Sequence, residues 1–231
     1  LTQTTLTLLN QISSSGIDMN SELFKNIYVV IQDNVNTIKI EYEKLINKNA
    51  DPRSLSIFAT FLRSIGDKDA IIYAKKAYDY APNKQSIASE YIQNLLQDSN
   101  FEEANKVAEK MYLSDKSFET AKDLYALTLI NIGKFDEGEA LLKDTTGYIK
   151  INEALLSSYI TNKKEDRIIK LLKNNLIINP KDVNTSIGLA SIYMLNNNKA
   201  EAVKVLNNLK KVSPDLAEAI DNYIETVINP K

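Results

Sequence analysis

The chain has 231 residues, 44% of them hydrophobic and 25% charged, enough apolar material for one large or two small globular domains. Lys plus Arg total 28 against 30 Asp plus Glu, and a formal charge of −2 gives no global attraction to nucleic acid or an anionic membrane. No Cys, His or Trp is present, which removes disulfides, thiolate nucleophiles, imidazole bases and the usual donors for zinc, haem and iron-sulfur centres.

In chain order, residues 1–50 predict two or three helices. Their apolar faces are Leu6, Leu9 and Ile12, then Leu23, Ile27 and Val30, then Val35, Ile38, Tyr42 and Leu45. Ser13-Ser14-Ser15-Gly16 is the main break, and Asn47 to Pro52 the next. The longest apolar run, Ile27 to Ile31, is far short of the roughly 20 residues that span a bilayer. The chain starts at Leu1 without a basic segment ahead of an apolar one, so no signal peptide is visible, and the start suits either an excised domain or a trimmed expression tag.

From residue 51 the pattern repeats. Ala70, Ala104, Gly138, Ile168 and Ala202 are spaced by 34, 34, 30 and 34 residues. Phe61, Leu95, Leu129, Tyr159 and Tyr193 keep that spacing, as do Ile57, Tyr91, Tyr125, Leu155 and Leu189, and Ala74, Ala108, Leu142, Leu172 and Leu206. With only 6 Gly and 5 Pro, the period is one of paired amphipathic helices joined by short turns. The small residue heading each second helix lets the two axes approach, so Ile168 predicts a splayed pair. The four residues missing between Gly138 and Ile168 predict a truncated second helix closed by a turn at Asp144-Thr145-Thr146-Gly147. From Pro214, with Ser213 as N-cap, Leu216, Ile220, Tyr223 and Val227 form an apolar stripe, and Asp215, Glu218, Asp221 and Glu225 an outer face.

These units resemble the tetratricopeptide-repeat (TPR) family. The resemblance implies an all-α, right-handed α-solenoid of TPR-like hairpins over 51–213 (51–84, 85–118, 119–148, 149–182 and 183–213), with N-terminal helices over 1–50 and a C-terminal capping helix over 214–231.

Catalysis would have to rest on carboxylates, lysines, tyrosines and hydroxyls. The paired acids Glu102-Glu103, Asp136-Glu137 and Glu165-Asp166 open second helices, where they meet the helix dipole. Neither a Gly-rich phosphate loop nor EF-hand spacing occurs, so no catalytic residue, metal or cofactor is assigned. Tyr91, Tyr125, Tyr159 and Tyr193, among 12 tyrosines, belong to the buried stripe; Tyr73, Tyr78, Tyr80 and Tyr112 lie near the ends of second helices. TPR stacks bind partners along the concave surface lined by first helices. Here that surface is Leu55, Ala59, Leu62 and Arg63, then Ser89, Gln93 and Gln97, Asp123, Leu127 and Asn131, Glu153, Ser157 and Thr161, and Ile187, Ser191 and Leu195. The lining is neutral and mixed, and only Arg63 and Asn131 approach the basic pattern that clamps a C-terminal carboxylate.

Several stretches are also similar to the soluble C-terminal TPR domain of O-antigen ligase or polymerase-like membrane proteins. They are Pro82-Asn83-Lys84-Gln85, the run Ala121 to Ile130 leading to Gly133-Lys134-Phe135-Asp136, the run Leu155 to Thr161, and Tyr223-Ile224 ahead of Asn229-Pro230. That resemblance implies a non-catalytic interaction domain tethered through an upstream membrane region, with a protein or peptide partner and no nucleic acid. The alternatives are an independent TPR scaffold, such as a secretion or pilus assembly factor, and a glycan-binding module using exposed tyrosines.

Overall fold

A computed structural model describes residues 22–48 and 50–228. The chain is all-α: α1 (Glu22–Lys48), α2 (Pro52–Ser64), α3 (Ala70–Tyr80), α4 (Gln85–Gln97), α5 (Phe101–Ser114), α6 (Glu119–Asn131), α7 (Phe135–Leu142), α8 (Glu153–Thr161), α9 (Glu165–Ile178), α10 (Val183–Leu195), α11 (Lys199–Val212) and α12 (Ala217–Tyr223). Among the described residues there is no strand, only an isolated antiparallel bridge between Lys143 and Ile149. The described residues fall into two compact units, one ending at Ser114 and one beginning at Asp115.

The first unit contains α1 and the hairpins α2–α3 and α4–α5. Helix α1 runs unbroken where separate helices were expected around Val30 and Val35, because no Gly or Pro interrupts residues 22–48. The expected break at Ser13–Gly16, and Leu6, Leu9 and Ile12, lie outside the described residues. Val35, Ile38 and Ile46 are buried at i, i+3 and i+11, whereas Leu45 is 52% and Val30 57% exposed. The stripe thus keeps Val35 and Ile38 where they were expected and turns one residue past the expected position only at Ile46. Tyr42 stacks on Phe58 with centroids 5.0 Å apart, Tyr73 meets the edge of Phe58 at 4.7 Å, and Lys39 pairs with Asp67 at 2.5 Å. The Tyr42 and Lys39 contacts hold α1 against the first hairpin, and the Tyr73 contact closes the hairpin itself.

Helix α2 begins on a capped turn. The Asp51 carboxylate accepts hydrogen bonds from the backbone N–H groups of Arg53 and Ser54, and Pro52 sits where a missing N–H does no harm. Its core side carries Leu55, Phe58, Phe61 and Leu62. Ile57, expected in the buried set, is 48% exposed, since the helix turns Phe58 inward in its place. Ala70, Ala74, Ala104 and Ala108 are buried where second helices lie against first ones. In the second hairpin Tyr91, also buried, stacks on Tyr78 at 5.1 Å.

Every first helix of a hairpin ends alike. A residue with φ between 55° and 85° (Gly66, Ser99, Gly133, Lys163 and Asn197) reverses the chain. The next N–H returns to a carbonyl five residues back, as in Asn100 to Leu95 at 2.8 Å and Lys164 to Tyr159 at 2.9 Å. This Schellman closure satisfies carbonyls that the helix end would leave unpaired.

The second unit holds α6 to α12. Gly138 is needed at its crossing: a Cβ there would lie 2.6 Å from the Ala126 carbonyl oxygen and 2.7 Å from Ile130 Cγ1. Helix α7 is only eight residues long. A tight loop follows, in which Asp144 Oδ1 accepts hydrogen bonds from the Thr146 N–H, the Thr146 hydroxyl and the Tyr148 N–H. Asn175, 2% exposed at the repeat position of Ala77, Met111 and Leu209, donates its Nδ2 to the Ile149 carbonyl at 3.1 Å. The amide of one unit thereby supports the loop that replaces the missing helical turn of the unit before. Helices α8 and α9 touch far less than the partners of the other hairpins, in keeping with buried Ile168 at their crossing.

Around that junction Arg167 binds Glu139 at 2.8 Å and Asp136 at 2.9 Å and lies over the Phe135 ring at 4.8 Å. The fully buried Tyr159 donates its hydroxyl to Glu139 at 2.9 Å. Burial pushes the Tyr159 phenol well above its ordinary value, and the Glu139 charge adds to the effect.

At the C-terminus a 3₁₀ turn, Pro214–Leu216, leads into α12, which widens to a π turn over Ile224–Ile228. Ser213, expected as an N-cap, makes no side-chain cap hydrogen bond. The wider turn shifts the phase, so Ile220 and Ile228 are buried while Val227 is 50% and Tyr223 39% exposed. Asp215, Glu218, Asp221 and Glu225 do face water, and Asp221 reaches back to Lys210 at 2.6 Å.

Candidate functional site

The expected binding surface divides differently in the two compact units. In the first, Leu55, Ala59 and Leu62 are fully buried, and Leu55 and Leu62 join the core that α1 closes with Val35, Ile38 and Ile46. Ser89 is buried as well, with its hydroxyl 3.7 Å from the Met111 sulfur. None of these four lines an open surface, a correction to the sequence reading: Leu55 and Leu62 pack in the core with α1, and Ser89 faces α5. Arg63 is half-buried and bidentate to Glu90, with Nε 2.9 Å from Oε1 and Nη2 3.2 Å from Oε2. Asn94, 3% exposed, donates to the same Oε1 at 2.8 Å. The guanidinium is thus spent inside the fold rather than held out for a carboxylate ligand. Gln93 is half-buried and Gln97 exposed.

In the second unit Asp123 stands on α6 with its side chain exposed, beside half-buried Leu127 and Asn131. Desolvation raises the Asp123 carboxyl above the ordinary aspartate value, with Glu119 adding to it and Lys122 opposing. Asn131 donates Nδ2 to the Leu127 carbonyl and to the Ser158 hydroxyl, both at 2.9 Å, and so joins α6 to α8. On α8, Glu153, Ser157 and Thr161 are exposed; on α10, Ile187 is 48% and Leu195 82% exposed, with Ser191 half-buried. The part of the expected lining that stays in water therefore lies mostly on α8 and α10. It carries no cation and hence no carboxylate clamp.

Two concavities of the second unit escape the sequence reading. A pocket of 230 Å³ opens between α10, α11 and α12, walled by Val183, Ile187, Leu206, Ile220 and Tyr223. It is almost wholly apolar and includes Ile187 of the expected lining. A larger cleft, of 440 Å³, runs between α9 and α11 with Ser186 and Leu189 of α10 on its floor. Ile160 on α8, 64% exposed, is a further apolar residue in water that the period did not single out. The spread of α8 from α9 was signalled by Ile168, but the π turn that follows α12 is a tertiary feature with no local signature. Ile177, 77% exposed beside the cleft, was the one visible hint, a large apolar residue off the buried comb.

The acids expected at helix starts are there: Glu102 and Glu103 in the first turn of α5, Asp136 and Glu137 in that of α7, Glu165 and Asp166 in that of α9. Hydrogen bonding to Arg167 holds Asp136 below the ordinary aspartate value, as befits a structural anion. Among the described residues no group of three or more acids is placed to hold a metal ion, and no helix is long and apolar enough to cross a membrane.

A tetratricopeptide repeat protein from Parabacteroides merdae ATCC 43184 is similar in structure, with a TM-score of 0.52 and 16% identity over 92% of this chain and 88% of that one. A thermophilic TPR protein of Thermus thermophilus, TTC0263, gives a TM-score of 0.46 at 16% identity over 84% of this chain and 100% of that one. MamA of Desulfovibrio magneticus RS-1 gives 0.47 at 12% over 72% and 97%. No family model matches the chain, and neither does any curated protein. The first of these likenesses establishes the fold as a TPR-type helical solenoid.

Proposed function

We propose that the chain is a non-catalytic protein-interaction domain of TPR type that takes a protein or peptide on the exposed faces of its first helices, chiefly α8 and α10. One observation carries the reading. Hairpin packing consumes the small and aromatic repeat residues, while Glu153, Ser157, Thr161, Ile187 and Leu195 stay in water as a mixed surface with one carboxylate and no cation. Leu195 and Ile187 on α10 are the apolar contacts a partner would cover, and the Ser157 and Thr161 hydroxyls on α8 supply hydrogen bonds.

Site-specific photo-crosslinking tests this. A photoreactive residue at Ser157 or Leu195 forms a defined adduct in cells, whereas one at exposed Lys170 or Asn222 does not. Equal adducts at all four, or none, refute the reading.

The resemblance of several stretches to O-antigen ligase or polymerase-like proteins is the ground for a parent that transfers glycan in membrane segments outside this chain, with this domain tethered beside the bilayer. About ten apolar segments of roughly 20 residues encoded upstream of Leu1 would support that parent. A start codon within a few residues of Leu1 would leave the alternative, an independent scaffold or assembly factor. A glycan-binding role rests on exposed tyrosines such as Tyr80 and Tyr223, and an oligosaccharide titration that leaves Tyr fluorescence unchanged removes it.

A further inference from the structure

The cleft between α9 and α11 lies on the second helices of its hairpins, away from the first-helix face. Its volume of 440 Å³ falls in the range of built ligand sites. Leu176, Ile177, Leu189, Val205 and Val212 make its walls and floor mainly apolar. Lys173 comes from the α9 wall, and Lys204 and Glu201 from the α11 wall. Glu201 pairs with Lys204 at 3.4 Å, and the Lys173 ammonium sits over the Tyr193 ring at 5.5 Å. Among the described residues the cleft thus offers one carboxylate to two ammonium groups, above an apolar trough that leaves Ile177 77% in water.

We infer that this cleft is a second docking site, for an extended peptide that sets one bulky aliphatic side chain into the trough and a carboxylate between Lys173 and Lys204. The partner's acid completes the charge pairing that Glu201 alone leaves short, and its aliphatic residue covers Ile177 and Val205. A polyanion such as single-stranded nucleic acid fits worse, because it would bring several charges to a cleft with one uncompensated cation, on a chain of net charge −2.

The test uses the whole chain and displayed random peptides of about twelve residues. Enriched peptides should share Leu, Ile or Val next to Asp or Glu. A synthetic peptide of that consensus should lose about tenfold in affinity against Lys173→Glu/Lys204→Glu, and also in high salt. Replacing its acid with Lys should restore binding to the double variant, which also shows that the variant is folded. Leu195→Asp should leave this binding intact while abolishing the crosslinks on the first-helix face, so the two sites fail separately. A selection that enriches nothing, a consensus without acids, affinity unchanged by the double variant, or single-stranded DNA competing at the same residues would each overturn the assignment.

Discussion

Gly138→Ala sets two effects of known sign against each other. In an exposed helix interior the change is stabilising by about 0.5–1 kcal/mol, because Ala loses less backbone entropy than Gly. The repeat pattern also favours it, since Ala stands at the equivalent positions 70, 104 and 202. At position 138 the new methyl would lie 2.6 Å from a backbone oxygen of α6 and 2.7 Å from Ile130, which is itself fully buried and has no space to turn into. Relieving such overpacking moves α7 off α6 and costs about 1–3 kcal/mol. The steric effect wins, and Gly138→Ala should destabilise the second compact unit by about 1–2 kcal/mol. Urea unfolding followed by far-UV circular dichroism measures it, with the slope unchanged and the midpoint lowered. A midpoint equal to or above that of the parent chain would refute the close crossing of α6 and α7.

Asn175→Ala should cost about 1–3 kcal/mol, because it leaves the buried Ile149 carbonyl without its donor, and should raise amide exchange in the 143–149 loop. Lys163→Gly should stabilise by about 1 kcal/mol in urea unfolding, since Lys163 holds φ at 55°, which burdens a residue with a Cβ. The docking of α1 should depend on pH at both ends. Burial is the largest single influence on Asp67 and would raise it, but the hydrogen bonds from Lys39 and from the Asp69 N–H, with the Lys39 charge, together outweigh it and hold the carboxyl below its ordinary value, while the bond to Asp67 raises Lys39. The contribution of Asp67 is therefore complete above the ordinary aspartate pKa of about 3.9 and lost as pH falls through its lowered value; that of Lys39 is complete below about 10.4 and lost as pH rises through its raised value. The near-ultraviolet signal of Tyr42 stacked on Phe58 should report the acid transition, and Asp67→Asn should abolish it.

What the sequence could reveal was whatever depends on period alone. Ala104 and Ala202 are fully buried and Leu95, Leu129 and Tyr159 nearly or wholly so, because a residue recurring every 34 positions meets the same neighbours in each hairpin. The shortened unit was legible from four missing residues. Phase was not: Phe58 replaces Ile57, Ile46 replaces Leu45 and Ile228 replaces Val227, each displaced by one residue. Neighbouring apolar residues look equivalent to a pattern, and only docking decides which of them turns inward. The binding surface failed in the first unit for a related reason. Leu55 faces α1, and Arg63 meets Glu90 from 27 residues further along the chain, partnerships that no local spacing announces.

The absence of native cysteine makes thiol accessibility a direct probe of the central claim, that packing hides the repeat comb and leaves the faces of α8 and α10 open. Single cysteines at Leu95, Ala104 and Ala202 should resist a water-soluble thiol reagent until urea unfolds the chain. Cysteines at Ser157, Thr161 and Leu195 should react at once in native buffer. Rapid native labelling at 104 and 202, or protection at 157 and 195 in the purified chain, would contradict the account.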